Sequence, residues 1–121
     1  MQAHSPVMLA LDSSGSGLDV AVCDLQTGRA LSEQCAFGAR SHDERIAESI
    51  SEVLERSGRS LADCRRIVVG GGPGSFTGIR IGLAFAKGLA LANDVPLFVP
   101  LSPCGRAHRY CVDSSDLVIV L

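Results

Sequence analysis

The sequence predicts an α/β fold, a mixed sheet with helices packed on it. Three observations predict it: short runs with strand periodicity, two longer segments with helical periodicity, and their order along the chain, βββαβαβ. Three strands joined by tight turns open as an antiparallel meander. Each later strand follows a helix, as right-handed crossovers require. The 121 residues fit one domain, with no repeat, low-complexity segment or linker dividing them.

Residues 7–11 are a continuous apolar run ending at Asp12 and the turn-forming Ser13-Ser14-Gly15-Ser16-Gly17. Residues 18–25 alternate, with Leu18, Val20 and Val22 on one face and Ala21, Cys23 and Leu25 on the other. Gln26-Thr27-Gly28 supplies a hairpin turn, and residues 30–37 return as the third strand. Ser41 then caps a helix over 43–57, with Glu44 three residues later as its capping-box partner. Ile46, Ile50, Val53 and Leu54 share one face of that helix, Glu44, Glu48 and Glu55 lie opposite, and Gly58 ends it.

Residues 66–70 form the fourth strand, which runs into Gly70-Gly71-Gly72-Pro73-Gly74-Ser75-Phe76-Thr77-Gly78. From this loop a second helix extends to about Asn93. Projected at 100° per residue, Ile81, Phe85, Leu89 and Ala92 fall on one face, and Ile79, Leu83 and Ala90 on an adjoining one. Gly78, Gly82, Ala86 and Ala90 make a ridge of small residues that lets another backbone come close. Only Arg80 and Lys87 are charged. One apolar face suffices to cover a sheet, so the second calls for a helix neighbour or a partner chain. Residues 97–99 are the fifth strand, Ser102-Pro103 starts a short helix, and residues 116–121 read as a buried strand that stops without turn, cap or polar tail.

Composition narrows the function classes. Apolar residues make up 46% of the chain, yet Trp is absent and there are four Phe and one Tyr, so the core is aliphatic. A net charge of -2 with both signs interspersed leaves no basic footprint for strong direct nucleic-acid binding. Five cysteines, an odd number without a C-x-x-C pair, fit a reduced cytosolic protein. Neither a signal-peptide core nor an apolar run of the ~18 residues a membrane span needs is present, so the sequence reads as cytoplasmic.

The Gly-rich loop is the strongest local signal. Five glycines in nine residues between a strand and a helix expose backbone N–H groups where an anion is welcome. No Gly-Lys-Ser/Thr follows, so it is not a Walker A loop, and Thr77 stands where G-x-G-x-x-G needs its third glycine. Gly72, Gly74, Ser75, Thr77 and Gly78 are therefore degenerate phosphate-loop candidates, the alternative being a tight turn with Thr77 as N-cap. Asp12, followed by Ser13, ends the first strand where a carboxylate can hold a metal-bound water beside a phosphate; the alternative is a turn-forming Asp that satisfies nearby N–H groups. Cys104, His108 and Cys111 have helical spacing, but zinc would have to recruit Cys35 or His42 as a fourth ligand, and buried thiols with a surface histidine are the plainer reading. No metal site and no cofactor are expected. Ser75 has no Gly-x-Ser-x-Gly elbow around it and no histidine tied to it, so no catalytic residue is assigned.

The string Gly72-Pro73-Gly74-Ser75-Phe76-Thr77-Gly78-Ile79-Arg80-Ile81-Gly82 resembles the signature of the TsaB family, also called YeaZ. Leu9-Ala10-Leu11-Asp12-Ser13-Ser14 resembles that family's opening strand, Ser41-His42 the start of its first long helix, and Ala86-Lys87-Gly88-Leu89-Ala90 the continuation of its second. The likeness covers residues 7–102. It implies an actin-like, RNase-H-like (ASKHA) fold of two similar halves, of which this chain would be the first, with the second subdomain missing after residue 121. Pro103-Cys104-Gly105 departs from the family's more regular helix.

The resemblance implies a non-catalytic dimerisation subunit. Its TsaD-like catalytic paralogue transfers threonylcarbamoyl to an anticodon-adjacent adenosine of tRNA. A TsaE-like ATPase and a homodimer are further partner possibilities, with tRNA touched only indirectly and no membrane involved. The helix pair then supplies the contact: Ile46, Ile50, Val53, Leu54, Ile79, Arg80, Gly82, Leu83, Ala86, Lys87 and Ala90. Older glycoprotease-like labels find no protease residues here. The alternative is a nucleotide-binding fragment of an actin-like phosphotransferase, using Asp12 and the loop at residues 72–78.

Overall fold

The computed structural model describes residues 4–37 and 42–102, without the side chains of residues 42–44. The elements follow the expected order: β1 (Val7–Asp12), β2 (Leu18–Asp24), β3 (Ala30–Ala36), α1 (His42–Ser57), β4 (Cys64–Val69), α2 (Phe76–Asn93) and β5 (Leu97–Phe98). They build one five-stranded sheet in the order β3-β2-β1-β4-β5. β1 runs antiparallel to β2 and parallel to β4, β2 antiparallel to β3, and β4 parallel to β5. The proposed cap at Ser41, its partner Glu44, the cluster Cys104, His108 and Cys111, and the strand at 116–121 lie outside the described residues and side chains.

β1 takes the centre because its apolar run suits burial on both faces. Val7, Leu9 and Leu11 are buried, whereas Met8 and Ala10 on the opposite face are half-buried. Leu18, Val20 and Val22 continue the buried face across β2, and Cys64, Ile67 and Val69 across β4. Both helices complete this one core, α1 through Ile46, Ile50, Val53 and Leu54 and α2 through Ala86 and Ala90. Each fully buried Ile, Leu or Val contributes about 1.5–3 kcal/mol relative to exposure, so the aliphatic core carries most of the stability.

Asp24 makes the β2–β3 turn. Its Oδ1 accepts from the backbone N–H groups of Gln26 (2.8 Å) and Thr27 (3.0 Å), and its Oδ2 accepts from Ser5 Oγ (2.7 Å). Gly28 takes the left-handed φ of 73° that closes the hairpin. The Ser5 hydroxyl above all, with the turn N–H groups, holds the Asp24 carboxyl below its ordinary range.

β4 starts two residues earlier than the apolar pattern suggests, after a 3-10 turn at Leu61–Asp63 in which Asp63 Oδ2 accepts from Ser60 N at 2.9 Å. The two residues missed are Cys64 and Arg65; the exposed Arg65, beside the exposed Arg66, separates the buried Cys64 from the apolar run. A register shift between Val7 and Met8 accommodates Arg65. Among the described residues, no helix is long and apolar enough to cross a membrane.

The second helix corrects the sequence reading most. Its buried residues are Gly78, Gly82, Ala86 and Ala90, the small ridge itself. That ridge faces inward, against the protein's own β1–β2 turn and sheet. Ile81, Leu83, Phe85 and Leu89 pack half-buried beside it. Helical projection ranks faces by the size of apolar side chains, but the space above this sheet admits only small ones, so the largest residues flank the contact.

Candidate functional site

The C-terminal ends of β1 and β4 meet the start of α2 in a corner of serines and glycines. Asp12 Oδ1 accepts from Ser14 N (2.8 Å) and from Ser14 Oγ. Ser14 Oγ lies 3.0 Å from Ser102 Oγ, which also accepts from Gly72 N at 3.0 Å. Ser13, fully buried, donates its hydroxyl to the Gly78 carbonyl. The glycines are needed for these approaches. A Cβ on Gly70 would run into Asp12 Oδ2, one on Gly74 into Ser14 O, and one on Gly78 into Ser13 O.

Five of the loop's N–H donors bond within the chain. Gly70 N donates to Leu11 O, Gly71 N to Pro100 O, Gly72 N to Ser102 Oγ, Ser75 N to Ser14 O and Gly78 N to Ser75 Oγ. An anion cradle requires such N–H groups to converge on a ligand. Here five of them converge on carbonyls and hydroxyls of the fold. Ser75 is the N-cap of α2, with its Oγ accepting at 3.1 Å, which corrects the assignment of that role to Thr77. Thr77 is exposed and carries no part of the cap.

The proposed contact residues separate into three groups. Ile46, Ile50, Val53, Leu54, Gly82, Ala86 and Ala90 are buried in this chain's own core, so they hold the helices on the sheet and present nothing outward. Ile79 and Leu83 are half-buried. Arg80 and Lys87 are exposed, and the outward stripe that contains them is Phe76, Arg80, Ala84, Lys87 and Leu91, at spacings of four, four, three and four. Phe76 is 74% exposed and Leu91 75%. The Arg80 guanidinium lies over the Phe76 ring, 5.3 Å from its centroid. Sequence reasoning missed Phe76, Ala84 and Leu91, although their helical spacing from Arg80 and Lys87 was available to find them.

Cys35, the fourth-ligand candidate whose side chain is described, is exposed and stands opposite Asp19 across the β2–β3 ladder, where a hydrogen bond with Asp19 raises its pKa. Burial raises the Cys23 thiol as well, with Glu33 adding to the effect. Among the described residues, no three His, Cys, Asp or Glu side chains gather as a metal cluster.

The sequence model of the family described as "TsaD: tRNA N6-adenosine threonylcarbamoyltransferase" matches residues 36–108. The tRNA threonylcarbamoyladenosine biosynthesis protein TsaB of Escherichia coli strain K12 is 40% identical over 90 residues, 74% of this chain and 38% of that protein. Among solved structures, YeaZ from Pseudomonas aeruginosa superposes with a TM-score of 0.75 at 33% identity, covering 86% of this chain and 49% of that one. This chain belongs to the TsaB/YeaZ family.

The chain thus spans well under half the length of the curated E. coli relative. RuvC of T. thermophilus, at 14% identity and a TM-score of 0.55, shares the fold alone. The α/β architecture expected from the pattern is the one this family builds, in its actin-like, RNase-H-like form. In this TsaB/YeaZ-family chain, the glycine string serves the packing of α2 against the β1–β2 turn, as the Ser13 and Ser14 contacts describe.

Proposed function

We propose that this chain acts in tRNA threonylcarbamoyladenosine biosynthesis as a non-catalytic subunit that docks on a TsaD-like catalytic paralogue. The observation that carries the reading is the outer stripe of α2, where Phe76 and Leu91 stand three-quarters exposed on either side of Arg80 and Lys87. Exposed aromatic and aliphatic anchors with a cationic rim are what a protein contact uses. Five N–H groups of the glycine loop bond within the chain and are not offered to a phosphate, which supports a role without nucleotide chemistry. In this reading the chain is the first half of a two-lobed cytoplasmic protein. A TsaE-like ATPase and a second copy are further partners in this reading, and tRNA is contacted only through the partner.

The test is a pull-down of the TsaD-like enzyme by the native chain and by Leu91→Glu, with circular dichroism on the same samples. A carboxylate buried unpaired in the contact costs several kcal/mol, so binding should weaken roughly 100-fold or more. Undiminished binding by folded Leu91→Glu removes the stripe from the contact. Titration with Mg-ATP separates the competing phosphotransferase reading: binding tighter than about 1 μM, roughly 8 kcal/mol, would favour it.

A further inference from the structure

β3 is the outer strand on one side of the sheet, hydrogen-bonded to β2 alone among the described elements. It is seven residues long, carries neither Pro nor Lys, and has exposed apolar side chains at Leu31 within it and Phe37 just beyond it. A long edge of this composition is a template for pairing with another chain. Pro, Lys and bulges are the usual defences; β3 has a register shift at Leu31, opposite Val22 and Cys23, but from Ser32 to Ala36 it pairs regularly and carries Glu33 as its one charge.

The defence comes from the helix behind. Arg56, exposed in the last turn of α1, donates from Nη2 to the Glu33 carbonyl (3.3 Å) and to Gln34 Oε1 (2.8 Å). Both acceptors lie at the middle of the strand. Ser32 Oγ donates to the Val53 carbonyl and Gln34 Nε2 to Ser49 Oγ (3.2 Å), which fix the strand against the helix that carries the arginine. At the far end, Arg45 Nη1 donates to the Ala36 carbonyl at 3.3 Å.

We propose that Arg56 is a guard on the β3 edge that keeps a second copy of this chain from pairing there. A strand approaching mid-β3 must displace a guanidinium held by a carbonyl and a side-chain amide together, and a second copy arrives with the same cation on its own edge. Two like charges brought together near a carbonyl row oppose the ladder that would otherwise form. The surface is distinct from the α2 stripe, so this inference stands or falls independently of the proposed docking on a TsaD-like enzyme.

Sedimentation velocity over a concentration series compares the native chain with Arg56→Ala and Arg56→Lys, and hydrogen exchange locates any contact. Arg56→Ala should self-associate at least about tenfold more strongly, 1.4 kcal/mol, with new exchange protection over residues 30–36. Arg56→Lys, which keeps the charge and loses the fork, should fall between. Gln34→Ala loosens the anchor without touching the charge, and should shift association in the same direction by less. Arg56→Ala associating no more than the native chain overturns the proposal, and so does gained association that leaves residues 30–36 unprotected.

Discussion

The hydroxyl of Ser13 fills the space that a methyl group on Gly82 would need. The same oxygen donates to the carbonyl of Gly78, one turn earlier on α2. The β1–β2 turn and the second helix are thus keyed to each other by one serine and two glycines, and the helix can lie close only because both positions lack a side chain.

Gly82→Ala should therefore destabilise the fold by about 1–3 kcal/mol, since the added methyl would meet the buried Ser13 hydroxyl, which can turn aside only by giving up its bond to the Gly78 carbonyl. Gly88 lies in the same helix, and a methyl group added there would meet nothing within 4 Å, so alanine should stabilise by up to about 1 kcal/mol. Urea denaturation of the two variants measures the difference. Equal effects would show that the close approach at Ser13 is not what Gly82 serves.

Ser102→Ala removes the acceptor for the Gly72 N–H, a buried donor. Leaving it unpaired costs about 1–3 kcal/mol. Thermal melts should show the loss, and amide exchange at Gly72 should speed up relative to Gly70, whose N–H keeps its bond to Leu11 O. Unchanged exchange at Gly72 would mean another acceptor replaces the hydroxyl.

Leu83 and Leu91 should behave oppositely when charged. Leu83 is half-buried against the core, so Leu83→Glu should lower stability by about 2 kcal/mol or more through desolvation of the carboxylate. Leu91 is 75% exposed, and Leu91→Glu should stay within about 0.5 kcal/mol of the native chain. Denaturation curves of the unbound proteins decide this without any partner present.

The Asp24 carboxyl titrates below its ordinary range because Ser5 and the turn N–H groups favour its ionised form. A group of this sign adds stability that is fully present above the unfolded carboxylate value of about 3.9 and is lost as pH falls through the lower folded value. Asp63 is shifted the same way, first by its bond from Ser60 N and then by His4, 3.3 Å away. The stability gap between the native chain and Asp24→Asn should therefore hold from neutral pH down to about 4 and narrow below it. A gap that stays constant into more acidic solution would show that Asp24 is not titrating in a hydrogen-bonded state.

Much of the fold is legible in the chain's own periodicity. Alternation in residues 18–25, the apolar run of β1 and the one-sided face of α1 each follow from a single period, and the side chains they place inward are buried. The β4 start is harder to read, because the exposed Arg65, skipped in the pairing with β1, separates Cys64 from the rest of the strand. The glycine string points to the family, but its job cannot be read from spacing. A glycine that exposes its N–H to a phosphate and one that admits a serine carbonyl look alike in one dimension.

The sequence by itself determined the element order, the aliphatic core and the likeness to TsaB, because each is written in local period or in an unbroken string of residues. Tertiary structure alone decided which way α2 turns. Its periodicity allowed either the large apolar residues or the small ridge to face the sheet. The close β1–β2 turn, which Ser13 begins, admits only Gly78 and Gly82 there. That contact between residues 65 positions apart sends Phe76, Arg80 and Leu91 outward and so makes the surface on which the proposed function rests.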